Sequence, residues 1–144
     1  SFDVVLSSLA LHYVADCDAV ARRVYAMVAP GGWFVFSAEH PIFTAQGPQD
    51  WDYDESGRIR HFPVDHYFAM DRYFEEGPRQ AIFLGETMTK YHRTLTAYLE
   101  GLLCCGFALP HVVEPQPPEE MLDMPGMRDE LRRPMMLIVC AQKP

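Results

Sequence analysis

The sequence is poor in basic residues and has no long hydrophobic run. Its 144 residues include 12 Lys and Arg against 20 Asp and Glu, for a formal net charge of −8. The basic residues are scattered, so the sequence offers no patch for a phosphate backbone, and nucleic acid is not an expected partner. No apolar run approaches the roughly 20 residues that cross a bilayer, and the first residues have no signal-peptide pattern. Neither nucleic acid nor a membrane is therefore expected to be its target.

Cysteine is scarce, and the histidines are dispersed. The four cysteines are Cys17, Cys104, Cys105 and Cys140. Adjacent cysteines match no zinc-ligand spacing, and His61, His66 and His111 share no ligand spacing with one another or with a cysteine. Three of the cysteines lie in apolar segments, where a free thiol behaves as a small hydrophobe. The sequence therefore predicts structural thiols in a reduced, cytoplasmic protein, and no metal site.

A glycine-rich phosphate loop is also missing. No GxGxxG pattern occurs, and Gly31 and Gly32 follow a predicted helix instead of a strand. What the sequence does have is 49% hydrophobic and 22% charged residues, the composition of a soluble globular protein. One domain, or part of one, is expected from this length.

The beginning of the chain has the pattern of a β-α-β unit. Residues 2–9 form an apolar, β-branched run typical of a parallel strand covered on both faces, and residues 33–38 form another. Between them, Asp16 or Asp18 is placed to cap a helix that Pro-Gly-Gly at residues 30–32 ends. The apolar positions of this helix are Val20, Val24, Met27 and Val28. The two strands are expected to be parallel neighbours joined by a right-handed crossover.

The middle of the chain, residues 39–90, has a different composition. Turn-forming and aromatic clusters replace the periodic pattern, and long irregular insertions in compact domains are often binding elements. Within it, residues 67–74 and 79–84 are expected to form a hairpin joined through residues 75–78. This segment is interpreted as an inserted substrate lid.

The last part of the chain, residues 91–144, again has framework patterns. Thr94 is predicted to cap an amphipathic helix that ends at Gly106. Residues 107–114 and 135–141 read as strands separated by a Pro-rich and acidic loop. Together with the strand-helix-strand unit of residues 1–38, these elements predict an α/β fold.

Several segments, in their order along the chain, carry a family resemblance. They are FDVV, SSLALHYVAD, APGGWFVFS, EHPIF, YFEEGPR, KYHRTL, VVEPQPP and RPMMLIVCAQKP. Each is weak alone, and the ordered set is specific. The chain resembles the C-terminal half of a class I, Rossmann-like S-adenosylmethionine-dependent methyltransferase, and it is similar to the methyltransferase-11/25 and quinone-biosynthesis C-methyltransferase group.

The resemblance implies S-adenosylmethionine as cofactor, S-adenosylhomocysteine as product, a small organic methyl acceptor and no metal. It implies the sheet order 3-2-1-4-5-7-6 with strand 7 antiparallel, so this chain would supply strands 4, 5, 7 and 6. Residues 135–141 would then lie between residues 33–38 and 107–114. The family's Gly-rich loop and ribose-binding acid do not occur in these residues. We therefore expect the fragment to be inactive, and either to associate through the open edge of residues 2–9 or to be marginally stable.

Candidate cofactor-binding residues follow the first strand. Ser7, Ser8 and Leu9 lie where ligands bind in open α/β sheets, and by resemblance Ser8 matches a position that contacts the cofactor. The alternative is a serine satisfied by its own backbone. His12 and Tyr13 are placed to face the sulfonium or the acceptor, because an aromatic face favours a cation. A packed pair that anchors the helix start is the other interpretation.

Candidate catalytic residues follow the second strand. Glu39 and His40 are predicted to form a His-carboxylate pair that removes a proton from an acceptor hydroxyl, amine or acidic carbon. A purely structural turn is the alternative. Methyl transfer from a sulfonium needs positioning above all, because the positive charge already activates the leaving group.

Candidate substrate-binding residues lie farther along the chain. His92 and Arg93 precede the second predicted helix and are expected to bind the acceptor, with the Arg93 fork on its carboxylate or phosphate. The alternative is that Arg93 pairs with an internal acid such as Glu114. Tyr67 and Tyr73 belong to a set of aromatic residues that either wall the pocket or form a satellite core. The others in this set are Trp51, Tyr53, Phe68 and Phe74.

Three functions are compatible with these patterns. The leading one is a methyltransferase that acts on O, N or C of a small acceptor. The second is a non-catalytic fragment or binding subunit of the same fold. A nicotinamide-dependent Rossmann enzyme is the third, disfavoured because an antiparallel closing strand pair suits methyltransferases better.

Overall fold

The computed structural model describes residues 1–46, 48–49, 51–52, 58–59, 62–63, 67–68 and 70–144. Tyr53, His61 and His66 lie outside the described residues. In chain order the strands are β1 (Phe2–Ser8), β2 (Val28–Glu39), β3 (Trp51–Asp52), β4 (Arg58–Ile59), β5 (Phe62–Pro63), β6 (Tyr67–Phe68), β7 (Gly77–Phe83), β8 (Glu86–His92), β9 (Ala108–Val113) and β10 (Met136–Gln142). The α-helices are α1 (Cys17–Met27), α2 (Pro41–Thr44) and α3 (Leu95–Cys105), and 3₁₀ turns span Leu11–Tyr13, Glu119–Met121 and Asp129–Arg132.

The main sheet has the strand order β1-β2-β10-β9. β1 runs parallel to β2, with Leu6 opposite Val35, and β10 runs antiparallel to both β2 and β9. The last strand of the chain is therefore inserted between β2 and β9, as predicted for residues 135–141. The parallel pair with its helical crossover is also confirmed.

Helix α1 begins as predicted and ends early. The Asp16 carboxylate accepts a 2.8 Å hydrogen bond from the Ala19 amide, which satisfies an N-terminal donor of the helix. The helix stops at Met27, and Val28 already belongs to β2, so the predicted end at residues 30–32 was too late. At Gly32 a Cβ atom would lie 2.8 Å from the Asp3 carbonyl oxygen, so this glycine permits the close approach of β1 and β2.

Helix α3 matches its prediction at both ends. Thr94 Oγ1 accepts a 3.1 Å hydrogen bond from the Ala97 amide. Gly106 ends the helix with a φ of +102°, the left-handed conformation that glycine adopts without a Cβ penalty.

The core lies between one face of the main sheet and helices α1 and α3. In β10, Leu137, Val139 and Ala141 have no exposed surface, and the alternate residues of the strand are half-buried. The sheet is therefore covered unequally, although an apolar run without alternation, such as that of β10, is typical of a strand covered on both faces. Other core members are Val24, Phe34, Phe36, Tyr98, Leu102 and Phe107.

β1 departs from the prediction that residues 2–9 lie deep in the sheet. Val4 and Leu6 are 58% and 72% exposed. β1 is an edge strand in the described sheet, so its second side and one of its faces lack the neighbours that would bury them. The sequence pattern therefore predicted the strand correctly, but its prediction that the strand is buried was wrong.

The predicted hairpin of residues 67–84 was wrong. The hairpin in the structure pairs β7 with β8, and Gly77 lies opposite His92. Its turn residues, Leu84 and Gly85, have φ values of +52° and +83°, the positive pair that a tight hairpin turn of type I′ requires. Leucine at the first of these positions concealed the turn in the sequence. β6, the predicted first arm, pairs instead with β3.

None of the helices in the described part of the chain has the length and apolarity needed to span a bilayer. The four cysteines are free thiols. Among the described residues, no group of three or more His, Cys, Asp or Glu side chains is arranged to hold a metal ion.

Candidate functional site

The carboxyl ends of the parallel strands β1 and β2 meet at one edge of the sheet. Ser8 ends β1, and Glu39 ends β2. After Ser8 the chain turns sharply at Leu9, whose φ is +49° and whose amide donates to the Ser37 carbonyl over 2.9 Å. Ser8 and Leu9 are exposed, and Ser7 is half-buried. The predicted cofactor-binding segment therefore borders an open edge of the sheet.

Glu39 is the centre of a buried polar cluster. Its Oε1 accepts from Lys90 Nζ at 2.6 Å, and its Oε2 accepts from Gln49 Nε2 at 2.8 Å. Lys90 Nζ also donates to Gln49 Oε1 at 2.7 Å, which closes the triangle. Glu39 is 8% exposed and Lys90 is 2% exposed. Strand β2, the segment after α2 and the hairpin strand β8 each supply one member of this cluster.

His12 lies against the same cluster. Its Nδ1 accepts a 3.2 Å hydrogen bond from the Glu39 amide, which assigns the proton of the neutral ring to Nε2. Nε2 lies 3.9 Å from Glu39 Oε1. Burial lowers the His12 pKa, and Lys90 and Arg93 lower it further, against the opposite effect of Glu39. The ring is therefore held neutral, with its Nε2–H near the carboxylate but outside hydrogen-bond distance of it.

Two aromatic rings flank the ammonium group of Lys90. Its Nζ lies 5.9 Å from the Tyr13 ring centroid and 5.8 Å from that of Phe83. Tyr13 is half-buried, and Phe83 is 49% exposed. Burial raises the Tyr13 pKa, and the charge of Glu39 adds to the effect, so its phenol stays protonated. The cluster thus lies beneath a partly open pair of rings.

Glu39 and His40 do not pair with each other as predicted. Successive residues at a strand end point to opposite sides, and His40 Nε2 bonds to Glu114 Oε1 at 2.8 Å. Its Nδ1 accepts from the Ile42 amide at 3.1 Å, so it caps the short helix α2. Both ring nitrogens are engaged. The predicted catalytic role of His40 stays a prediction, and it would require one of these bonds to break.

Two predicted substrate residues, His92 and Tyr73, lie in a neighbouring packed cluster. His92 Nδ1 bonds to Thr44 Oγ1, and its Nε2 donates to the Tyr73 carbonyl, both at 2.8 Å. Burial lowers the His92 pKa. The Tyr73 hydroxyl accepts from the Leu95 amide at 3.1 Å. Tyr67 pairs through its backbone with Asp52. Substrate roles for these residues stay predictions.

Arg93 has internal partners. It is 8% exposed and donates to the carbonyl oxygens of Leu11, Val14 and Ala15. It does not pair with Glu114, the predicted alternative. The guanidinium instead ties the turn after β1 to the start of α3, which fixes the position of His12 and Tyr13. Its substrate-binding role remains a prediction.

Lys90 and Gln49 are the site residues that the sequence reasoning missed. In β8 the side chains of Lys90 and His92 alternate with more exposed positions and are buried. The sequence does not show this burial, because the buried positions carry the polar residues Lys90 and His92 and the more exposed ones carry Thr89 and Tyr91. The predicted hairpin also left this segment without a strand. Gln49 lies in irregular structure with a φ of +57°, for which the sequence has no periodic signal.

A cleft of about 490 Å³ lies elsewhere, between α1 and α3. Its lining includes Asp16, Asp18, Glu76 and Glu100, and of the predicted site residues only Arg93 borders it. The cleft and the Glu39 cluster are therefore separate features.

Comparisons with known proteins agree with this topology. A family model described as a methyltransferase domain matches residues 1–36. A provisionally named S-adenosylmethionine-dependent methyltransferase from Listeria monocytogenes is 51% identical over 99% of this chain, with a TM-score of 0.84. An S-adenosylmethionine-dependent methyltransferase from Mesorhizobium loti is 42% identical over 99%, with a TM-score of 0.85. An uncharacterised Haemophilus influenzae protein is 26% identical over 99% of this chain.

These three proteins are longer than this chain. It spans 62% of the Listeria chain, 63% of the Mesorhizobium chain and 54% of the Haemophilus protein. The family model covers β1, α1 and most of β2, and the TM-scores of 0.84 and 0.85 show that the folds agree. The chain therefore has the sequence pattern and the fold of the class I, Rossmann-like S-adenosylmethionine-dependent methyltransferases.

Proposed function

We propose that the full-length protein transfers a methyl group from S-adenosylmethionine to a small organic acceptor and releases S-adenosylhomocysteine. The observation that carries the proposal is the 51% and 42% identity, over 99% of this chain, to two proteins named for that cofactor and activity. The buried Glu39 cluster at the ligand edge of the sheet adds a site of suitable chemistry. We also propose a cytoplasmic location, from the reduced cysteines.

The cofactor side of the site is formed by the segment after β1. We propose that Ser7, Ser8 and Leu9 contact the cofactor, because Ser8 and Leu9 are exposed at the carboxyl end of a parallel strand. The bound cofactor supplies an electrophilic methyl group on a cationic sulfur. The Tyr13 ring, only half-buried beside this segment, offers a face that attracts such a cation. His12 is deeper and adjoins the acceptor side.

The acceptor side is formed by Glu39 and its partners. Glu39 is held by Lys90 and Gln49, so its carboxylate has a fixed orientation before any acceptor arrives. We propose that Glu39 accepts a hydrogen bond or a proton from the acceptor as the methyl group is transferred. His40, His92 and Arg93 hold the surrounding turns through hydrogen bonds, and Tyr67 and Tyr73 border the acceptor.

This function is tested by incubating the full-length protein with methyl-labelled S-adenosylmethionine and a small-molecule extract of the source cells. Label should appear in a low-molecular-weight product, together with S-adenosylhomocysteine, and a heat-inactivated sample serves as control. Saturable cofactor binding without any transfer would favour the binding-subunit alternative. Label confined to macromolecules would contradict a small acceptor.

We further propose that the 144-residue chain alone associates through β1. Phe2, Val4 and Leu6 are 58%, 58% and 72% exposed on a strand at the edge of the described sheet. Light scattering should find oligomers that Leu6→Lys disperses. A monomer at all concentrations would contradict the proposal.

A further inference from the structure

The ammonium group of Lys90 has three N–H donors, and the described residues accept hydrogen bonds from only two of them. An ammonium group carries three N–H donors and no acceptor. Two of them bond to Glu39 Oε1 and Gln49 Oε1, and the ring centroids of Tyr13 and Phe83 lie 5.9 Å and 5.8 Å from Nζ. A buried donor without a partner is costly, and Lys90 is 2% exposed. Within the described part of the chain, the third N–H is therefore left for a ligand oxygen.

A second donor lies beside it. His12 Nε2–H is 3.9 Å from Glu39 Oε1, beyond hydrogen-bond distance, and has no closer partner among the described residues. Its other nitrogen is fixed by the Glu39 amide, so the ring cannot turn away without losing that bond. Both donors adjoin the same carboxylate oxygen, at 2.6 Å for Lys90 Nζ and 3.9 Å for His12 Nε2. A ligand oxygen placed beside Glu39 Oε1 would be within reach of both, and paired donors of this kind fix the orientation of a bound molecule.

The charge of the cluster restricts that oxygen to a neutral one. Glu39 and Lys90 balance each other, and His12 is neutral. A carboxylate or phosphate bound here would add an unbalanced negative charge beside Glu39, Lys90 and His12, which are each at least nine-tenths buried. A carbonyl or hydroxyl oxygen keeps the balance and uses the free donors. The rings of Tyr13 and Phe83 would then contact the apolar body of the same molecule.

We propose that Lys90 and His12 bind a neutral carbonyl or hydroxyl oxygen of the methyl acceptor, whose apolar body lies between Tyr13 and Phe83. The inference rests on the proposed function and adds the chemical class of the acceptor. Lys90 has a second role as the residue that orients Glu39. The acceptor is thereby held by its oxygen, next to a carboxylate that faces it.

The test uses the full-length protein and the acceptor identified by label transfer. Lys90→Met should raise the acceptor KM by about 10-fold to about 100-fold, the loss of one hydrogen bond to a charged donor. The affinity for S-adenosylhomocysteine should not change. Lys90→Arg, which retains charge and donors, should recover part of the KM. Arg128→Met, at an exposed ion pair far along the chain, should leave both values unchanged.

The double variant Lys90→Met/Glu39→Gln separates binding from folding. It removes both buried charges, so it should be more stable than Lys90→Met and still have the raised KM. A stably folded double variant with the parent KM would overturn the binding role of Lys90. An acceptor that is anionic at the end held by Lys90 would overturn the neutral-oxygen assignment. Absence of any labelled product with the unaltered protein would instead refute the proposed function, and this inference with it.

Discussion

Removal of the Lys90 side-chain charge should strongly destabilise the protein. Lys90 Nζ and Glu39 Oε1 are 2.6 Å apart, with side chains 3% and 10% exposed. Lys90→Met leaves the Glu39 carboxylate buried with Gln49 as its nearest remaining donor. Breaking a buried ion pair from one side typically costs about 3 to 5 kcal/mol. We expect a loss in the free energy of unfolding near the lower end of this range, because Gln49 still donates.

The matched control is an ion pair of similar length on the surface. Arg128 Nη2 and Asp123 Oδ1 are 2.8 Å apart, but their side chains are 70% and 92% exposed. Arg128→Met should cost less than about 1 kcal/mol, since solvent screens such pairs. The comparison keeps the substitution and the bond length nearly constant and changes the burial.

Urea unfolding of the full-length protein, followed by circular dichroism, measures the loss in the free energy of unfolding for both variants. The loss is read from the shift of the unfolding midpoint, provided that the dependence of the free energy on urea concentration has the same slope in each variant. Lys90→Met/Glu39→Gln should recover much of the loss, because no unpaired charge remains. If Lys90→Met costs no more than Arg128→Met, the cluster is solvated in solution, and its proposed role as a preorganised site is wrong.

Two further predictions concern other parts of the fold. Gly32→Ala should lower the free energy of unfolding by about 2 kcal/mol or more, because the new Cβ would lie 2.8 Å and 2.9 Å from backbone oxygens. Gly31→Ala has open space around it and should lower that free energy only by the strain of its +79° φ. Equal shifts of the urea midpoint in the two variants would contradict this prediction. Burial lowers the pKa of His12, His40 and His92 in the folded state, so their contribution to stability is complete above the unfolded value of 6.5 and is lost as pH falls below it. The free energy of unfolding should therefore decrease between about pH 7.5 and about pH 5.5, and a slope that His12→Asn leaves unchanged would exclude His12 as a contributor.

The framework of the fold was predictable because its signals are local. The Asp16 and Thr94 caps, the left-handed Gly106 and the apolar runs of β1, β2 and β10 depend on few residues each. The β7–β8 hairpin was not predictable in the same way, because Leu84 occupies a turn position where glycine or asparagine is usual.

The site was predictable only in part. Glu39 and His12 were identified from their places after strands, but their partners come from distant segments. Lys90 is 51 residues from Glu39 along the chain, and His40 bonds to Glu114 across 74 residues. Which charged groups meet across such separations depends on tertiary packing, and no pattern in one segment encodes it.

The turnover of Glu39→Gln tests the central claim most directly. With the full-length protein and its identified acceptor, kcat should fall by a larger factor than the affinity for S-adenosylhomocysteine, which calorimetry measures in parallel. Glutamine retains the shape and the hydrogen-bonding oxygen of Glu39 and removes the charge that faces the acceptor. An unchanged kcat, or an equal loss of cofactor affinity, would contradict the assignment of the Glu39 cluster as the acceptor side of a methyltransferase site.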